Sequence, residues 1–159
     1  MHPSILQAVQ IQGVVTSLFH RALEGVTEEE ARIRPGDDSN PMLWMAGHLV
    51  TTRVYLAKLV GVERPLPWNG TFARSAALDM SLQLPALAEV CAAWDDISAA
   101  LAARFEQLTD AELKGPAGEF PSLDQTVRGA LAMAALHDSY HVGQMAFVRK
   151  FLGHGRLVG

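Results

Sequence analysis

The chain has 159 residues, 49% of them hydrophobic and 19% charged, with 13 Lys+Arg against 17 Asp+Glu and a net charge of −4. One domain spanning 1–159 is expected at this length, too apolar for disorder and without the basic surface that an electrostatic hold on nucleic acid needs. The lone Cys91 leaves no intramolecular disulfide and suits a reducing, cytoplasmic setting, the N-terminal residues lack a signal-peptide pattern, and no apolar run reaches the about 18 residues of a membrane span.

The first helical period runs from about Ser4 to Glu24, with Ile5, Val9, Val15, Phe19 and Leu23 on a broad apolar arc that also holds Gln12. Thr27-Glu28-Glu29-Glu30 has the spacing of a capping box and predicts a single turn. A second helix is expected from Asn40-Pro41, with Asn40 as N-cap and Pro41 at the first helical position, to Gly61. The 61–84 connector, containing Pro65, Pro67, Trp68 and Phe72, is long enough to be expected as a functional or mobile loop. Trp68 is placed either over an open face of a site or as a plug at one end of the fold.

A third helix is expected from about Pro85 to Leu108, with the core stripe Leu87, Val90, Trp94, Ser98, Leu101, Phe105 and Leu108. Thr109-Asp110-Ala111-Glu112 repeats the capping-box turn. The fourth helix is expected to open at Ser122-Leu-Asp-Gln, again with capping-box spacing, and to close at Gly153. No segment alternates with period two, so no sheet is expected. Four long amphipathic helices predict an all-α four-helix bundle.

Three histidines fall on the stripes that such a bundle buries. At about 100° per residue, His137 and His141 share one face with Leu123, Val127, Ala130, Ala134, Met145, Val148 and Leu152. His48 shares its face with Trp44, Thr52, Tyr55 and Leu59. An i, i+4 pair can reach one ion, and three neutral imidazoles suit Zn²⁺, Ni²⁺ or Fe²⁺ with a position left for water or substrate. The competing reading is three satisfied core histidines. Burying them without partners would cost on the order of 1–3 kcal/mol each. His2, His20 and His154 lie at or beyond helix ends and are expected to be solvated, with His20 the candidate should a fourth ligand exist.

The segment Asn40-Pro-Met-Leu-Trp-Met-Ala-Gly-His48-Leu resembles the first ligand motif of the DinB/YfiT-like family of metal-dependent enzymes. The segment His137-Asp-Ser-Tyr-His141-Val-Gly-Gln144 resembles that family's second motif, H-x-x-x-H-x-G-Q, and the likeness extends over essentially the whole chain. The resemblance implies a four-helix bundle in which His48, His137 and His141 bind one divalent metal, usually Zn²⁺ or Ni²⁺, and implies frequent homodimers. Relatives with known activity include thiol-cofactor S-transferases and a thiol-dependent isomerase.

The expectation is therefore a metal-dependent enzyme for a small-molecule substrate, either a transferase using a low-molecular-weight thiol or a hydrolase. The alternative is a non-catalytic dimeric helical module that binds metal or ligand. A DNA-repair role is suggested only by the family's name, and the acidic charge balance argues against direct DNA contact. Asp138 gives the motif the form H-D-x-x-H, which invites comparison with the general-base Glu of H-E-x-x-H proteases. Asp is one methylene shorter, so it is expected instead to orient a histidine N–H or to face solvent. Tyr55, Thr52 and Gln144 are further candidates for hydrogen bonds to ligands or substrate.

Overall fold

A computed structural model describes residues 1–37, 39–65, 68, 71–72 and 84–158. The described residues form five α-helices, α1 Leu6–Leu23, α2 Met42–Leu59, α3 Leu87–Phe105, α4 Asp110–Lys114 and α5 Val127–Phe151, and two 3₁₀ turns, Pro3–Ile5 and Glu30–Arg32. Among them there is no strand, only one isolated bridge between Pro116 and Thr126. The fold is all-α. The greater part of the 61–84 connector lies outside the described residues.

The four long helices close a ring. α1 lies on α5, α5 on α2, α2 on α3, and α3 returns to α1. α2 is the most deeply enclosed: every residue from Met42 to Thr51 is buried. A helix apolar on all sides can satisfy itself only when covered on all sides. The interior divides into two clusters. One holds Phe19, Trp94, Met42 and Met145, and the other Ile97, Leu101, Phe105 and Leu131.

The two predicted capping boxes form as expected. Thr27 and Glu30 exchange backbone-to-side-chain bonds at 2.8 and 3.2 Å, and Thr109 and Glu112 do so at 2.8 and 3.3 Å. Glu28, beside the first box, also accepts the backbone N–H of Leu87 at 2.7 Å, tying the α1–α2 connector to the start of α3. Gly61 and Gly153 stand at φ +82° and +89° past the ends of α2 and α5, where a left-handed residue stops the helix.

Two helix starts differ from the sequence expectation. Asn40 is not the N-cap of α2; Pro41 is, in extended conformation, and it contributes no side-chain cap. The Ser122 box does not form either. Gln125 takes a left-handed φ of 63°, which a helix cannot pass through, and α5 begins after it. Thr126 caps instead, accepting the Gly129 N–H, while Asp124 accepts from both the N–H and the hydroxyl of Thr126. Box spacing fails here because the Asp124 turn satisfies the same orphan donors one step later.

Candidate metal centre

His48 on α2 and His137 and His141 on α5 are brought together, with one ligating nitrogen from each lying within 4.8 Å of the others. The Nε2 atoms of His48 and His137 are 3.1 Å apart. His48 is buried, and the other two are partly buried.

The outward nitrogen of each ring is engaged. His48 Nδ1 lies 2.7 Å from the Phe72 carbonyl oxygen, His141 Nδ1 lies 2.7 Å from Gln144 Oε1, and His137 Nδ1 lies 3.4 Å from Asp138 Oδ1. A carbonyl can only accept, so Nδ1 of His48 carries the proton, and the Asp138 carboxylate favours the same tautomer at His137. In the neutral rings Nε2 is then a lone pair. With His137 in that tautomer the two Nε2 lone pairs face each other at 3.1 Å, an arrangement that a cation between them relieves. Tetrahedral Zn–N bonds of about 2.0–2.1 Å would put two ligand nitrogens about 3.3 Å apart. The donor set could therefore hold one metal ion.

Burial, followed by the neighbouring His137 and His48, holds His141 down to about 4, which keeps that ring neutral at neutral pH.

The walls of the site are aromatic. Trp44, one turn before His48, stacks on its ring at 4.9 Å and 7°. The tryptophan belongs to the core, as expected, and also fixes the plane of a site histidine. Its buried indole N–H has no hydrogen-bond partner among the described residues. Phe72 is fully buried and stands against Gly47, where an added Cβ would lie 2.6 Å from the ring. Glycine before His48 is what lets Phe72 sit close enough for its carbonyl to reach Nδ1. Trp68 packs edge-on against Phe72 at 5.5 Å and lies partly buried against the core cluster.

The other sequence candidates separate. Gln144 reaches His141 and donates from Nε2 to the Tyr140 hydroxyl at 3.1 Å. Asp138 does not face solvent: it is 1% exposed and pairs through Oδ2 with Arg53 Nε at 2.9 Å. Both carboxylate oxygens are thus occupied. Tyr55 does not take part. It is 45% exposed, two turns beyond His48, and neither it nor Thr52 makes a hydrogen bond to the three histidines among the described residues. His20 pairs with Asp95 at 2.7 Å, His2 caps Ser4, and His154 meets Glu30 at 3.2 Å, so none of the three is a fourth ligand.

Sequence reasoning missed Arg53. It is 3% exposed, and its guanidinium lies 3.5 Å from the centre of the Trp94 ring. Burial pulls its pKa below the ordinary value and Asp138 opposes that shift. The signal was present: an arginine inside a helix with no polar face must be paired within the core.

A ring of helices with a three-histidine cluster between α2 and α5 defines a class of all-helical proteins that could bind metal. The model of the DinB superfamily matches residues 14–145, a span that contains all three histidines, and the chain belongs to that superfamily. A search of curated proteins found no match to the chain. Superfamily membership and the histidine cluster together fit a metal-binding protein.

Proposed function

We propose that the protein is a metal-dependent enzyme in which His48, His137 and His141 hold one divalent ion, Zn²⁺ or Ni²⁺, and that it joins a low-molecular-weight thiol to a small electrophilic substrate. Hydrolysis of a small substrate is the second chemistry open to the same site. The observation that carries this reading is the outward anchoring of the rings, which turns the Nε2 lone pairs of His48 and His137 toward one another. A divalent ion so held supplies Lewis acidity, favouring thiolate over thiol or hydroxide over water at neutral pH. Three protein ligands leave a coordination position for the reactant.

The chain's own residues do the rest. Phe72, Gln144 and Asp138 fix ring orientation and tautomer. Trp44 and Phe72 keep water from the back of the site. Asp138 serves as an orienting group rather than a general base, because Arg53 and His137 occupy its two oxygens.

Metal analysis of protein purified without a histidine tag tests the reading. About one Zn²⁺ or Ni²⁺ per chain is expected, followed by turnover with some member of a panel of thiols and an electrophilic acceptor. Protein that neither carries nor takes up either metal overturns it. Stoichiometric metal without turnover of thiol or ester substrates favours the non-catalytic module.

A homodimer is part of the proposal. α5 presents Leu136, Tyr140, Phe147 and Phe151, each 55–68% exposed, and α1 beside it presents Ile11 and Val14 at 46% and 60%. The aromatics alone leave roughly 300–450 Å² of surface in water, given about 150–250 Å² for each side chain. With the aliphatic residues added, the face passes the roughly 300–600 Å² of a monomer's largest patch and nears the about 800 Å² per partner of a stable interface. A second copy is the occupant that this area fits. Light scattering should give twice the chain mass for the wild type and the chain mass for Phe147→Asp. A monomeric wild type removes this part of the proposal.

A further inference from the structure

A deeply buried charged group that is not one of the expected ligands adjoins the histidine cluster through Asp138. Arg53 touches all four long helices. From α2 it donates to Asp138 on α5 at 2.9 Å, to the Thr16 hydroxyl on α1 at 2.9 Å, to the Gln12 carbonyl at 3.4 Å and to the Ser98 hydroxyl on α3 at 2.5 Å. Its guanidinium face covers Trp94 on α3. The hydroxyls are fixed in turn, Thr16 donating to the Gln12 carbonyl and Ser98 to the Trp94 carbonyl. Gln12 is itself buried and donates to the Leu131 carbonyl of α5 at 3.2 Å.

Asp138 bridges this network to the site, with Oδ2 on Arg53 and Oδ1 facing His137 Nδ1. A carboxylate behind a ligand histidine fixes the tautomer and raises the basicity of the ligating nitrogen. The guanidinium fixes the carboxylate in place through the 2.9 Å bond between Arg53 Nε and Asp138 Oδ2. The pair adds no net charge, so the charge of an ion at the three histidines is left uncancelled.

We propose that Arg53 is a positioning residue of the metal centre. Resting on the metal reading above, it holds the Asp138 carboxylate aimed at His137 Nδ1, so that His137 presents Nε2 to the ion. The same guanidinium ties the site to α1 and α3, which carry no ligand.

The test is Co²⁺ binding, by chelator competition and visible absorption, to the wild type, Arg53→Met, Asp138→Asn and the double variant, each checked for helicity. Both single variants should bind Co²⁺ about 10–100-fold more weakly with altered ligand-field bands. Arg53→Lys should fall between Arg53→Met and the wild type. In the Asp138→Asn background the further Arg53→Met change should cost little, because the path through the carboxylate is already cut. Equal losses from Arg53→Met in both backgrounds, or none in either, overturn the proposal. Should Arg53→Met not fold, nitrogen-15 NMR of the wild-type imidazoles decides: His137 protonated on Nδ1 supports the proposal, and protonation on Nε2 overturns it. A wild type that binds no Co²⁺, Zn²⁺ or Ni²⁺ overturns the metal reading itself, an outcome separate from all of these.

Discussion

Gly47 and Phe72 are packed so closely that a Cβ on the glycine would stand 2.6 Å from the phenyl ring. The contact matters because Phe72 also supplies the carbonyl that takes the His48 Nδ1 proton. One residue before a site histidine, the helix is pared to backbone so that a distant segment can reach in and orient that histidine.

Gly47→Ala should therefore damage the site more than the fold. Overpacking a core commonly costs about 1–3 kcal/mol, and a glycine in a helix interior would otherwise gain about 1 kcal/mol from replacement by alanine. The expected balance is a net loss of stability of about 0–2 kcal/mol in urea unfolding of the metal-free protein. Metal affinity should drop alongside it, since the Phe72 carbonyl must move. Unchanged affinity would show that His48 does not depend on this carbonyl.

Gln144→Leu removes the acceptor behind His141 and conserves apolar volume. Metal affinity should fall about 10–100-fold while thermal unfolding of the metal-free protein changes little, because Gln144 lies at the half-exposed edge of α5. Chelator competition measures the first and calorimetry the second.

The metal-free protein should lose stability on acidification in a defined window. His141 is held down to about 4 in the folded chain, against an ordinary value of 6.5. Between those values the unfolded chain binds a proton that the folded one refuses, so stability is fully present above about 6.5 and falls as pH drops through the window toward 4. Urea unfolding between pH 7 and pH 4 with chelator present measures the slope, and His141→Leu should flatten it.

Thr126→Ala supplies the contrast. It removes the N-cap of α5, which accepts the Gly129 N–H at 3.1 Å. The expected cost is about 1 kcal/mol in chemical unfolding. His137 lies about three turns further along the helix, so metal affinity should stay within about twofold, as caps act on the first turn only.

The residues that build the site were readable to different depths. His48, His137 and His141 stood out because helical periodicity places them on apolar stripes, and imidazoles on a buried stripe need partners. Gln144 was legible from its one-turn spacing to His141. Phe72 was not, because the bond it makes to His48 uses a backbone carbonyl, which every residue carries. Periodicity placed Tyr55 on the inward face with His48, yet it is 45% exposed, because which flank of a helix is covered depends on how its neighbours pack. The start of α5 was misplaced because three adjacent side chains, Ser122, Asp124 and Thr126, compete for the same turn, and local geometry chooses among them.

By itself the sequence determined that the chain folds into long helices with apolar faces, where most of them end, and which three histidines those faces bury. These properties follow from periodicity and capping, which act over a few residues. The tertiary structure alone decided that Arg53 and Asp138 meet in the core, that Trp94 and Ser98 from α3 and Thr16 from α1 receive the arginine, and that a phenylalanine far along the chain orients His48. Those pairings depend on how the helices are rotated and set in depth against one another. A buried charge accepts only the arrangement in which every donor finds its partner.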